Sequence, residues 1–272
     1  MISGEVRITG GRDTVVFGRD GFVLAGLDAG AARLSGEHTA GRTVVLSGYI
    51  LPAGETGAAR ASEMERLTRR LCRIVAGSGG FTLSVGGRQI RLLADSAPVF
   101  ASEAPLNGDE ASYFTVTASA AVPSAAYFYG EEAAVTGYGW EGRLVFPHAV
   151  TEETVFAEGA RSGEITVYHK GDAPCGFVLT VTAAFQAIAG FTITSGRGEK
   201  LSVARPIPLG ESVVIDTRPG EKTVTAGGES AIGDLSFDSE FFSLMPGENR
   251  LFWQTAGDGT AEMRVEFSPP FH

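Results

Sequence analysis

The sequence predicts a mainly β chain built as two β-rich domains, the first with a single flanking α-helix. Three observations carry that expectation. Short apolar runs alternate with polar residues along most of the chain, the period of strands with one buried face. Turn formers separate the runs, with 37 Gly and 12 Pro in the chain. Only one long stretch, residues 62–76, keeps a helical period. A length of 272 residues carries a prior of about two domains. A hydrophobic content of 43% is enough for a sizeable core.

Residues 1–51 contain the short runs ISGEVRIT, DTVVF, GFVLAGL and RTVVLSGYIL, divided by Gly10-Gly11 and Asp20-Gly21. The helix SEMERLTRRLCRIVA follows a small-residue loop. Met64, Leu67, Leu71, Ile74 and Val75 share its apolar face, and Ser62 with Glu65 has the spacing of a capping box. Arg66, Arg69, Arg70 and Arg73 place positive charge in the later turns, and Gly77–Gly80 stops the helix. The runs Phe81–Val85 and Arg88–Leu92 flank Gly86-Gly87, the pair that a two-residue hairpin turn requires. A loop is expected over Ala101–Ala111, then a strand from Phe114 that ends before Pro123. These elements make a first domain of residues 1–123. Residues 124–147 have no clean period and read as a connector. The second domain, 148–272, contains eight short runs: EITVYH, FVLTVTAAF, FTIT, KLSVA, SVVID, KTVTA, RLFWQT and AEMRVEF. Eight such runs fit a galectin-like, jelly-roll-like β-sandwich. Met245-Pro246-Gly247-Glu248 suits a type II turn.

Charge and composition narrow the function classes. The net charge of −10 disfavours a tight nucleic-acid binder, which needs Lys and Arg to displace counterions from phosphate. Residues 1–147 hold 13 basic and 15 acidic groups, and residues 148–272 hold 9 and 17. All lysines fall in the second part, a difference in character that supports two domains. No apolar run reaches the roughly 18 to 20 residues of a membrane span. The start MISGEVRITGG lacks the basic and apolar regions of a signal peptide, so none is expected. Cys72 and Cys175 have no metal-ligand spacing and read as free thiols.

Candidate chemistry is sparse. Gly137-Tyr-Gly139-Trp-Glu-Gly142 matches GxGxxG literally, but a strand-like run ended by Pro147 follows it, where a nucleotide site needs a helix. His38, His148, His169 and His272 are scattered, so no metal site is expected, and no cofactor. The pairs Asp109-Glu110, Glu131-Glu132 and Glu152-Glu153 read as solvated loop charge. Tyr127, Phe128, Tyr129, Tyr138 and Trp140 could pack between domains or stack on sugar rings. Arg69, Arg70 and Arg73 could form a solvated face or meet a partner subunit.

Three stretches of the second domain, Val167–Val181, Glu211–Thr217 and Phe241–Leu251, resemble in content and order the distal tail proteins of long-tailed, non-contractile phages. The first half agrees in a Leu46-Ser-Gly48-Tyr-Ile-Leu segment, an arginine-containing helix and a following Phe-x-Leu hairpin. His169 departs from the Asn that often stands two residues before the turn glycine. The resemblance implies a virion structural protein and no enzyme. Its first domain would be a sandwich like that of the tail tube protein, closing six copies into a ring. The second, galectin-like domain would project outward. The ring would join the tail tube protein to the hub and tail-associated protein at the tail tip, let DNA pass, and be made in the bacterial cytoplasm. Arg69, Arg70 and Arg73 are the ring-interface candidates. The alternative is a carbohydrate-binding β-sandwich module, which requires an exposed aromatic platform, with Trp140 or Trp253 as candidates.

Overall fold

The computed structural model describes residues 4–30, 33–35, 38–77, 79–106, 109–120, 127–142 and 157–271. Pro123, Asn107-Gly108, Pro147, His148, Glu152-Glu153 and His272 lie outside them. The chain divides into two compact units, 1–131 together with 271–272, and 132–270.

The first unit contains β1 (Val6–Gly10), β2 (Asp13–Val16), β3 (Phe22–Asp28), β4 (Arg33–Ser35), β5 (His38–Gly41), β6 (Thr43–Ile50), α1 (Gly57–Val75), β7 (Phe81–Val85), β8 (Arg88–Ala94), β9 (Val99–Leu106), β10 (Asp109–Ala120) and β11 (Phe128–Tyr129). Its main sheet runs in the order β2-β1-β7-β8-β10-β6-β3, while β4 and β5 form a separate hairpin. The inward residues of both ends of this sheet share one core, with Ile8, Leu83 and Leu92 from one end and Leu46, Ile50 and Phe114 from the other. Leu67, Leu71, Ile74 and Val75 of α1 close that core, and Met64 packs against it half-buried. Burying each large side chain fully is worth roughly 1.5–3 kcal/mol.

Two expectations need correction here. The helix begins at Gly57, capped by Thr56, whose Oγ1 accepts from the Ala59 amide at 3.2 Å. Ser62 therefore lies inside the helix and caps nothing. Thr56 has the extended backbone of a cap, and Ala58, Ala59 and Ala61 propagate helix well, so the small-residue loop winds up early. The loop expected over Ala101–Ala111 is mostly strand, because β9 pairs with β10 through Phe100↔Phe114 and Ala101↔Tyr113. The hairpin at Gly86-Gly87 forms as expected, with Val85 opposite Arg88 and both glycines at positive φ, 55° and 85°.

The second unit contains β12 (Ala133–Tyr138), β13 (Trp140–Gly142), β14 (Ala157–Gly159), β15 (Ser162–His169), β16 (Val178–Ala183), β17 (Gly190–Ser195), β18 (Lys200–Val203), β19 (Ser212–Asp216), β20 (Thr223–Ala226), β21 (Glu229–Ser230), β22 (Gly247–Ala256) and β23 (Ala261–Phe267). All eight expected runs are strands. They form two antiparallel sheets, β12-β23-β16-β19-β20-β21 and β15-β22-β17-β18, around a core that includes Phe177, Phe191, Ile193, Trp253 and Met263. The sandwich expected of this half is therefore present. A last strand, β24 (Pro270–Phe271), pairs with β11, and Phe271 packs against the first unit's core.

Candidate functional site

The arginines of α1 are the first candidate, and their surroundings separate them. Arg70 faces its own unit: Nε donates to Asp13 Oδ1 at 3.1 Å, Nη2 donates to the Thr14 carbonyl at 2.7 Å, and Nη1 lies 3.6 Å from Asp20 Oδ2. It pins α1 to β2 and to the Asp20-Gly21 turn. Arg69 is exposed and pairs with Glu65 one turn earlier at 2.5 Å, while Arg66 holds Glu63 through two 2.7 Å bonds. The hydrogen bond from Arg66 keeps the Glu63 carboxyl below its ordinary pKa. Arg73 is exposed in the last turn. Arg69 and Arg73 thus share an outer face one turn apart, and Arg70 does not belong to it. The acidic partners of Arg70 stand fifty or more positions away in sequence, where helical spacing carries no sign of them.

The aromatic candidates divide between the two units. Phe128 is buried in the first unit under the Arg42 guanidinium, 5.4 Å from the ring centroid, whereas Tyr138 is an exposed residue of the second unit. Trp253 is only 3% exposed, so it offers no face to a sugar. Its position on β22 points inward, and Gly163 and Gly139 leave room for the indole: a Cβ on Gly163 would lie 2.7 Å from the ring. A Cβ on Gly137 would lie 2.4 Å from Ile165. Gly137 and Gly139 of the apparent nucleotide motif therefore allow close approach of neighbouring groups. The backbone of Trp140 lies in β13, paired opposite Gly159.

The three stretches of the second unit that carry the family resemblance meet in space. The Phe177 amide donates to Thr217 Oγ1 at 2.8 Å, and that hydroxyl donates to the Phe177 carbonyl at 3.0 Å. Cys175 exchanges backbone hydrogen bonds with Leu244 at 3.0 and 2.8 Å, and the Phe177 and Phe242 rings lie 5.2 Å apart. Gly176 admits no side chain, because a Cβ would meet Arg218 Cα at 2.5 Å. Asn249 closes the Met245–Gly247 turn: Oδ1 accepts from the Met245 amide, and Nδ2 donates to the carbonyls of Met245 and Gly247. Gly247 has φ +95°, as a type II turn needs. Asp216 is clamped by the amide and guanidinium of Arg218, whose pKa the pair raises. Beside this junction lies an open cleft of about 260 Å³, lined by Arg197, Phe242, Ser243 and Asn249 among others. Arg197 donates across it to the Ser243 carbonyl at 2.8 Å.

Neither cysteine thiol is activated. Burial pushes the Cys175 thiol up to about 12, and it raises Cys72 as well, so neither is a ready thiolate at neutral pH. Among the described residues no group of three or more His, Cys, Asp or Glu is placed to hold a metal ion, and no helix is long and apolar enough to cross a membrane.

Residues 170–271 match the family described as the siphovirus-type tail component, C-terminal domain. All but the last of these residues fall within the second unit. The resemblance to the distal tail proteins is borne out by that match, and the fold agrees with it. The crystal structure of the SPP1 Dit (gp 19.1) protein, described as a paradigm of the hub adsorption apparatus in phages infecting Gram-positive bacteria, superposes with a TM-score of 0.64 at 11% identity. The superposition covers 98% of this chain and 99% of that one. No curated protein matches the sequence. In the three stretches that carry the resemblance, Gly176, Phe177, Thr217, Leu244 and Asn249 have architectural contacts that hold strand ends and turns in place.

Proposed function

We propose that this protein is a structural component of a siphophage or prophage-derived tail tip, with six copies forming a ring that joins the tail tube to the baseplate hub. The observation that carries the reading is the match to the tail-component family at 170–271. The first unit supplies suitable material for a ring. Its main sheet ends in β2 and β3, whose outer edges can accept a neighbour, and a closed ring requires such a heterologous contact. The exposed face of α1 with Arg69 and Arg73 is the second contact surface.

Passage of DNA through the ring is supported by the outer positions of β6 and β10. On β6 and β10 the described positions that alternate with the buried residues are Thr43, Val45, Ser47, Tyr49, Tyr113, Thr115, Thr117 and Ser119. None of these carries a charge at neutral pH, so a wall made from them would give phosphate no cation to bind. In this reading the tube protein and the hub are the partners, the tail tip is the location, and no catalytic step is needed.

Light scattering and negative-stain imaging test the assembly, with the purified tube and hub proteins added where the chain alone does not close. The expected result is a six-fold ring. Replacing Arg69 and Arg73 together by Gln should weaken ring formation by roughly tenfold or more while leaving thermal stability unchanged. Arg70→Gln should instead lower stability. A chain that stays monomeric with both partners present would exclude the ring.

A further inference from the structure

The strand alternation that buries Trp253 turns its neighbour Phe252 outward. Phe252 is 43% exposed in the middle of the four-stranded sheet β15-β22-β17-β18, and Tyr168, on the same face of β15, is 64% exposed. Tyr168 stands opposite Glu248, and Phe252 lies four positions farther along β22. At about 3.3 Å per residue and about 4.8 Å between strands, their Cα atoms are roughly 14 Å apart. Polar side chains fill the interval. Arg250 Nε donates to Glu248 Oε1 at 2.9 Å and lies 3.5 Å from Glu164 Oε1. Thr166 stands opposite Arg250, and Thr194 stands opposite Phe252.

We propose that this outer sheet face is a binding site for a neutral oligosaccharide. A sugar ring has an apolar C–H face and a rim of hydroxyls, so it needs an aromatic surface beside fixed donors and acceptors, and this face offers both. Two aromatics spaced this way suit a chain of several rings better than a single ring. Arg250 is held between Glu164 and Glu248, and Lys200 pairs with Asp238 at 2.5 Å, so these five groups sum to −1 and leave no unpaired cation among them to recruit an anionic ligand. A protein partner fits less well. The centres of protein interfaces are depleted in charged residues, and here the two aromatics are separated by an ion-pair network.

The inference does not depend on the tail-tip reading, and its test is separate from ring assembly. The full chain is titrated with neutral hexasaccharides of glucose, galactose, N-acetylglucosamine and rhamnose, with a heparin hexasaccharide as the charged control, and followed by amide chemical shifts. At least one neutral sugar should shift the amides around Phe252, Thr194 and Tyr168. Phe252→Ala should weaken that binding on the order of tenfold or more, with Tyr168→Ala acting in the same direction and both variants melting like the parent. Three results would overturn the proposal: no neutral sugar shifts any amide at millimolar concentration, only heparin binds, or binding survives both substitutions. A loss of self-association in Phe252→Ala without any sugar response would also overturn it, by assigning the face to another protein chain.

Discussion

His169 is a titratable group enclosed by the core, 1% exposed and with its ring 5.8 Å from that of Phe267. Its Nδ1 accepts from the Gly171 amide at 2.8 Å, a task that the carbonyl oxygen of an Asn could perform. Burial lowers its pKa below the ordinary value, opposed by the backbone at His169 and Ala173 and by the Asp172 carboxylate. The unfolded chain therefore takes up a proton near pH 6.5 that the folded chain resists. Stability is full above that pH and falls as the pH drops from about 6.5 toward the lowered folded value. His169→Asn keeps the turn and removes the proton. Urea midpoints at pH 7.5 and 5.5 should differ more for the parent than for the variant, and equal losses would show that another group governs this range.

At the scale of elements, α1 rests on a cap that the chain places before the obvious helical period. Thr56→Ala should cost about 1 kcal/mol in urea unfolding, while Ser62→Ala, inside the helix, should be close to neutral. An equal cost for both would put the helix start back at Ser62. The comparison also marks what was legible in the sequence. The buried face of α1, the Gly86-Gly87 hairpin and the eight strands of the second unit follow from local period and turn chemistry, and those signals lie within a few residues of one another. The strand character of β9 and β12 does not follow from local signals. It depends on partners far along the chain, Tyr113 across from Ala101 and Val265 across from Val135. The same limit applied to the candidate sites. Trp253 and Phe252 are neighbours in sequence, and only the register of β22 against β15 decides which of them meets solvent. Gly163 and Gly139 were equally silent, since a glycine that makes room for an indole looks like any other turn residue until the two are brought together.

At the scale of the whole molecule, the first unit is discontinuous in sequence, because Phe271 belongs to it while residues 132–270 form the second. The Arg88 guanidinium lies 3.7 Å from the centroid of the Phe271 ring, and β24 extends the pairing of β11. Phe271→Ala should therefore weaken the first unit by about 1–2 kcal/mol, as lost cation–π contact and packing. Hydrogen exchange separates this from a general effect: amides of β8 and β11 should exchange faster, with those of β16 and β23 unchanged. Uniform acceleration across both units would contradict the assignment.

That discontinuity also orders events during synthesis. A ribosome must translate the whole of the second unit before the first can receive Phe271 against its core. A chain cut short anywhere within 132–270 leaves the first unit with Arg88 lacking this aromatic partner and β11 lacking its outer strand. The first unit thus carries a molecular record of whether the second unit was translated.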